Sequence, residues 1–246
     1  MKNSNNFIII TGSEGQVGKN LVNLLSNDKN NFKLILVDSK RKNKKNYFQV
    51  NLKNQNELKN FFKVLKKKYK NIFGLINLAA YQVFTDFEKR NLKEIDNSFN
   101  INVRANILIT QFLFNNYFKK QKMGKIINIA SIYGMKSPDF SIYRKKDRKS
   151  SEIYGATKAS IIQLTKYFAS YMSKYKINVN CISPGGLENK QKQKRNFIKR
   201  YSSKVPLKRM GKVDELTSLI LFLLDNKSNY INGENIVIDG GYNAYI

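Results

Sequence analysis

Phe7-Ile8-Ile9-Ile10-Thr11-Gly12-Ser13-Glu14-Gly15-Gln16-Val17-Gly18 is the stretch that decides the fold. Residues 7–11 are a short apolar β run, and a glycine follows at every third position from Gly12 to Gly18. A helical pattern then runs through Val17, Leu21, Leu24 and Leu25. Strand, glycine turn and helix in this order suit a phosphate: glycines let backbone approach a pyrophosphate, and the helix N-terminus favours its negative charge. Gly12, Ser13, Gly15, Gln16, Val17 and Gly18 are therefore candidate contacts to a dinucleotide. A second apolar strand, Phe32–Val37, ends in Asp38, 20 positions beyond Gly18. A carboxylate there suits the hydroxyls of an adenosine ribose and repels a 2′-phosphate, so NAD is favoured over NADP. Lys40, Arg41 and Lys42 stand beside it and weaken that preference.

The alternation continues outward. Tyr47–Leu52, Ile72–Leu78, Lys125–Ala130, Ile177–Ile182 and Asn235–Asp239 read as strands. Asn54–Lys70, Ile95–Phe118, the run opened by Tyr154 and ending at Ser173, and Val213–Leu224 read as helices. The strands are nearly continuous apolar runs, as in a parallel sheet covered on both faces. The expected architecture is one α/β domain over residues 1–246: a Rossmann-type doubly wound parallel sheet of about seven strands with helices on both faces. Two segments stand apart: a polar loop, Tyr133–Glu152, carrying Pro138, and a basic stretch, Leu187–Lys204, read as a mobile substrate flap.

Composition narrows the classes. The 246 residues (28.6 kDa) suffice for a single domain with a large core. No apolar run approaches the roughly 20 residues needed to span a bilayer. Met1–Asn6 is polar and leads straight into a strand, which does not read as a signal peptide. The single cysteine, Cys181, excludes an internal disulfide, and the chain has no histidine. Both fit a reducing cytoplasm, remove histidine-based triads and make no metal site expected. Cys181 falls in an apolar run and reads as a buried thiol. The formal charge of +28 admits a polyanionic partner. Lys and Asn are, however, spread through every segment and no folded nucleic-acid motif is present, so nucleic acid is not the expected partner and no membrane is expected.

Tyr154-Gly155-Ala156-Thr157-Lys158 opens an amphipathic run with Ile161, Leu164, Phe168 and Met172 at helical spacing. Residues four apart share a helix face, so phenol and ammonium can sit side by side. A nearby positive charge favours the phenolate, which would give an acid/base for a hydroxyl or carbonyl. Spacing alone favours a chance pair on a solvated helix; the pair gains weight only from what surrounds it.

With these residues in view, the chain resembles the short-chain dehydrogenase/reductase family over nearly its whole length. Thr11–Gly18 is similar to the family's cofactor turn. Asn51-Leu52 resembles its adenine-contacting pair, and Asn77-Leu78-Ala79-Ala80 its segment after the fourth strand. Asn102, Ser131, Tyr154 and Lys158 match its catalytic tetrad. Ser183-Pro184-Gly185, with Leu187 beyond, resembles its turn against the nicotinamide, and Gly233 with Asp239-Gly240-Gly241 its C-terminal signature. The resemblance implies hydride transfer between NAD(P) and a hydroxyl or carbonyl carbon. On it, Tyr154 is the acid/base, Ser131 holds the reacting oxygen, Lys158 lowers the tyrosine pKa and binds the nicotinamide ribose, and Asn102 holds a relay water. It also implies a homotetramer or dimer built on the 95–118 and Tyr154 helices.

Four departures accompany the match. Gln16 stands where glycine is common, Ala80 replaces a glycine, and Asn189 stands where a threonine usually meets the carboxamide. The interval from Ser131 to Tyr154, 23 positions, is long, with the excess in the 133–152 loop. That loop, with 184–189 and 205–210, is similar to a bacterial subgroup linked to flagellin modification and surface-polysaccharide sugars. The expected substrate is a small molecule, an anionic sugar or nucleotide-sugar derivative. Lys190, Lys192, Lys194, Arg195, Lys199 and Arg200 would attract it, or form only a solvated face; Tyr133, Phe140 and Tyr143 would stack on it, or anchor the loop. The alternatives are a 3-oxoacyl-[acyl-carrier-protein] reductase and, outside catalysis, a dinucleotide-sensing or polyanion-binding protein. The intact tetrad argues against the last.

Overall fold

The computed structural model describes residues 7–27, 32–145 and 147–244; the reading of Met1–Asn6 lies outside them. Its strands are β1 (Phe7–Thr11), β2 (Lys33–Asp38), β3 (Tyr47–Gln49), β4 (Ile72–Asn77), β5 (Gly124–Ile129), β6 (Ile177–Pro184) and β7 (Asn235–Ile238). They form one parallel sheet in the order β3-β2-β1-β4-β5-β6-β7. Chain direction across the sheet reverses beside β1, so a crevice opens outside the carboxyl ends of β1 and β4.

Side-chain alternation along β1 builds two cores. Ile9 faces a cluster with Leu58, Phe61, Leu113, Phe118, Phe168 and Met172. Ile8 and Ile10 face Leu21, Leu25, Ile220 and Leu223 on the other side. The first core is covered by α2 (Gln55–Lys68), a long helix and α6 (Glu152–Met172); the second by α1 (Gln16–Ser26) and α8 (Val213–Leu224). Ile8, Ile9 and Ile10 are wholly buried, each side chain contributing about 1.5–3 kcal/mol of transfer energy.

The long helix spans 92–121 as α3 (Leu92–Phe99), α4 (Ala105–Leu113) and α5 (Lys119–Gln121), joined by π turns at Asn100–Arg104 and Phe114–Phe118. It starts earlier than apolar spacing predicts because Asn91 and Glu94 form a capping box. Ser151 likewise starts α6, accepting from the Tyr154 amide at 3.2 Å. Tyr154 and Lys158 thus occupy the first two turns of that helix. β3 is shorter than expected. The Asn51 amide donates to Glu57 (2.7 Å) and Asn54 caps α2, which turns residues 51–54 away from the ladder.

The two extra segments pack on each other. Ile132, Ile142 and Tyr143 share a small core with Tyr201, Val205, Met210 and Tyr242. The 187–204 stretch contains the helix α7 (Arg195–Lys204). Arg200 of that helix binds Asp147 and the Ile142 carbonyl, and Lys204 pairs with Asp139 at 3.2 Å. The Tyr143 and Phe197 rings stack at 5.7 Å.

Candidate active site

Four strand ends converge on one cavity of about 530 Å³. Ser131 follows β5, Tyr154 and Lys158 come from α6, Pro184 ends β6, and Gly185 and Leu187 follow it; all line the cavity, as do Gln16, Val17 and Ala80. The Lys158 ammonium lies 5.5 Å from the Tyr154 ring centroid and donates to the Ile129 carbonyl at 2.6 Å. Ser131 Oγ accepts from the Tyr133 amide at 3.2 Å.

Burial governs both titrating groups. It pushes Tyr154 up to about 12, partly offset by hydrogen-bonding interactions with Ser131 and Gln82. It pushes Lys158 down to about 8. Local spacing predicts a lowered tyrosine pKa; in the free protein desolvation of the phenol raises it instead, and burial likewise disfavours the charged form of Lys158.

Asn102 lies in the first π turn, a local widening frequent at functional sites. Its side chain does not reach Lys158. Oδ1 accepts from the Tyr81 amide (2.7 Å), and Nδ2 donates to the Tyr81 carbonyl and Thr157 Oγ1 (both 3.0 Å). It thereby clamps the segment after β4 to α6. Between Asn102 and Lys158 is a cavity of about 10 Å³, bordered also by Thr11, Asn77 and Asn106. That is about the space one water needs, and the buried Asn106 Oδ1, which has no partner among the described residues, would bind it.

The glycine turn fits a dinucleotide. Gly12 has φ +71°, and a Cβ there would come within 2.7 Å of the Ala79 nitrogen. A Cβ on Gly18 would meet the Gly12 carbonyl at 2.3 Å. These two glycines shape the turn itself. Gly15 is exposed, caps α1 without a side chain and has only one neighbour within 4 Å of a built Cβ, so it marks where an outside group approaches backbone. Ser13 Oγ is buried beside it with no partner among the described residues. Asp38 is held by the Glu14 amide (3.0 Å) and the Lys40 amide (3.1 Å). Bound here, a pyrophosphate would meet the start of α1 and an adenosine ribose would meet Asp38.

Other predicted contacts have internal roles. The Asn51 side chain closes a turn onto Lys53, Leu52 is a core residue, and Asn77 donates to Asn128 at 2.8 Å. Ala79 and Leu52 border the water-sized cavity. Two departures from the family pattern meet: Gln16 accepts from Asn189 Nδ2 at 2.9 Å and donates to the Glu188 carbonyl at 2.7 Å. Of the flap cations, Lys192 and Lys194 border the cavity, whereas Arg200 is turned onto Asp147. Tyr133 and Tyr143 line it too, their hydroxyls 3.2 Å apart; Phe140 is exposed outside it.

Sequence reading missed Glu14, Gln82, Arg148 and Ser150. Glu14 is a buried carboxylate in the glycine turn, paired with Lys44 at 3.2 Å. Gln82, Arg148 and Ser150 line the main cavity. Glu14 was visible by its place in the turn. The other three carry no local signal, because they reach the cavity from segments separated by a whole helix.

Fold and site together define a dinucleotide-binding α/β protein with a serine, a tyrosine and a lysine gathered at the strand ends. A family model described as enoyl-(acyl carrier protein) reductase matches residues 18–243. The post-translational flagellin modification protein A of Campylobacter coli is 27% identical over 97% of this chain and 98% of its own length. A 3-oxoacyl-[acyl-carrier-protein] reductase of Thermotoga maritima is 30% identical over 79% of this chain and 75% of its own. The crystal structure of a short-chain dehydrogenase from Leptospira borgpetersenii with bound NAD+ is 36% identical, covering 97% of this chain and 92% of that one with a TM-score of 0.87. The chain belongs to the short-chain dehydrogenase/reductase family of nicotinamide-dependent oxidoreductases.

Proposed function

We propose that the protein interconverts a hydroxyl and a carbonyl on a small sugar or sugar derivative, using NAD in preference to NADP. One observation carries this reading: Ser131, Tyr154 and Lys158 share a cavity with the glycine-turn helix and the 184–187 loop. The nicotinamide would supply or accept the hydride when bound. Tyr154 gives its phenolic proton to the substrate oxygen in reduction and takes it back in oxidation. Ser131 holds that oxygen in place, so the proton moves along a fixed path. Lys158 keeps a cation beside the phenol and the ribose, and the water-sized cavity next to Asn102 offers a proton route towards solvent. Asp38 supports NAD: a 2′-phosphate would enter beside its carboxylate.

The flagellin-modification relative matches end to end and supports a surface-glycan sugar as substrate. The Thermotoga relative supports a 3-oxoacyl thioester as the second reading. On the same reading the enzyme works in the cytoplasm as a dimer or tetramer through the long helix and α6, where Phe99, Tyr167 and Tyr171 are exposed.

The test is a panel of sugars, nucleotide sugars and a 3-oxoacyl thioester with NAD(H) and NADP(H), run on wild type and Tyr154→Phe. The substitution is expected to lower turnover by about 10²–10⁴-fold while NADH binding, followed by its fluorescence, is kept. Equal activity in Tyr154→Phe would reject the assigned acid/base, and preference for the thioester would select the second reading.

A further inference from the structure

The cavity is lined by more than the groups assigned to hydride transfer. Besides Ser131, Tyr154 and Lys158, residues 147, 148 and 150 of the insertion and 192–194 and 197 of the flap border it. The charged side chains these two segments bring to it are Asp147, Arg148, Lys192 and Lys194. Asp147, the single carboxylate among them, is already neutralised by Arg200. The Arg148 guanidinium lies 5.1 Å from the Phe84 ring centroid and has no carboxylate partner among the described residues. Ser150, two residues on, carries a buried hydroxyl with no hydrogen-bond partner among the described residues.

This leg of the insertion is fixed in place. Lys149 pairs with Asp86 at 3.3 Å, and Glu152 binds Arg90 at 2.9 Å. Arg148 is therefore presented from a stretch held by Asp147 to Arg200 on one side and by Lys149 and Glu152 on the other. An aromatic face orients a guanidinium without using its N–H groups. Those donors stay available for a planar or tetrahedral anion. A cleft lined by cations whose own carboxylate is neutralised concentrates anionic ligands.

We propose that Arg148, backed by Phe84 and joined by Lys192 and Ser150, binds a carboxylate or phosphate at the end of the substrate remote from the reacting carbon. This rests on the hydride-transfer reading of the same cavity. The same cavity of about 530 Å³ receives nicotinamide and substrate on this reading, and a sugar substrate carrying such a group is a sugar acid or a sugar phosphate. Arg148 then sets which polyols enter, and Tyr154 treats whichever hydroxyl is presented to it.

The experiment uses the full chain saturated with NAD+ in about 0.15 M salt, where surface attraction is screened beyond roughly 8 Å. Glucose 6-phosphate, glucuronate and neutral sorbitol are titrated calorimetrically into wild type, Arg148→Ala, Arg148→Lys and, as a charge control beside the starting ends of β4 and β5, away from the cleft, Lys120→Ala. Arg148→Ala is expected to weaken binding of at least one anion by about tenfold to a hundredfold, the loss of a charged hydrogen bond. Arg148→Lys should recover part of it, and Lys120→Ala and the sorbitol isotherm should not change. The anion that responds tells phosphate from carboxylate. Unchanged affinity in Arg148→Ala, an equal loss in Lys120→Ala, or no anion binding to wild type would overturn the subsite. NADH formation with the same compounds separates the two claims. Arg148-dependent binding without turnover of any sugar would sink the hydride-transfer reading and leave the subsite standing. Turnover with a KM indifferent to Arg148 would do the reverse.

Discussion

Tyr154 and Lys158 mark the limit of an argument from local charge. Four residues apart on a helix they do meet, as periodicity requires. Their titration is set by burial, which no local spacing reveals. Asp38 is the opposite case, since its place at the end of β2 was legible and its two backbone donors follow from that place. Asp38→Asn keeps a side-chain oxygen for those amides and removes the charge. It is expected to shift the ratio of kcat/KM for NAD over that for NADP towards NADP by about tenfold, roughly the difference between a charged and a neutral hydrogen bond. Steady-state kinetics with both coenzymes measure this. An unmoved ratio would assign the choice of coenzyme to Glu14 or to the neighbouring lysines instead. Arg148 and Gln82 were illegible for a different reason. Nothing near them in sequence repeats or alternates around them, and only the return of the insertion onto residues 84–90 gives them a site.

The strand–turn–helix unit separates two jobs that its glycines share in sequence. At Gly18 a Cβ would sit 2.3 Å from a backbone oxygen that cannot move aside. Gly18→Ala should therefore lose about 1–3 kcal/mol or more of stability and show it as a lower melting temperature. At Gly15 the nearest atom to a Cβ is 3.2 Å away and the rest is open. Gly15→Ala should melt within about 1 kcal/mol of wild type yet bind NADH several-fold more weakly. Equal melting of the two variants, or full NADH affinity in Gly15→Ala, would contradict this division. Other element boundaries were less legible. Asn91 and Ser151 start their helices through side-chain caps that lie outside the apolar pattern. β3 stops at Gln49 because Glu57, from the following helix, takes the Asn51 amide. The flap read from its charge contains a helix whose docking needed Asp147 and Tyr143 from another part of the chain.

Over the whole molecule, buried titrating groups give a definite pH profile. Burial holds Lys125 and Lys158 at about 8, below the ordinary 10.5 of lysine. Between those values the unfolded chain binds more protons than the folded one, so stability rises with pH. Burial holds Tyr117 and Tyr154 at about 12 and raises Tyr133 and Tyr201 as well, above the ordinary 10.0. Beyond pH 10 the folded chain keeps protons that the unfolded chain loses, and stability falls. Cys181, raised by burial to about 11, opposes the lysines from pH 9 upward, one group against two. The charge of +28 also shrinks as lysines deprotonate, relieving self-repulsion. The melting temperature followed by circular dichroism should rise from pH 8 to about 10 and then drop. Lys158→Met should flatten the rising limb. A melting temperature falling steadily from pH 8 would contradict the assignment of buried, weakly basic lysines.

Sequence alone determined the doubly wound sheet, its strand count, the glycine turn and Asp38, which follow from periodicity and short spacings that backbone geometry converts directly into faces and turns; Asn102, Ser131, Tyr154 and Lys158 were picked out as a set by resemblance to the family. Tertiary structure alone decided which cations look into the cavity, that Gln16 and Asn189 bond each other, and that Arg148 lies over Phe84. Those outcomes depend on how distant segments pack, and packing is an energy shared among many side chains that no single stretch of chain contains.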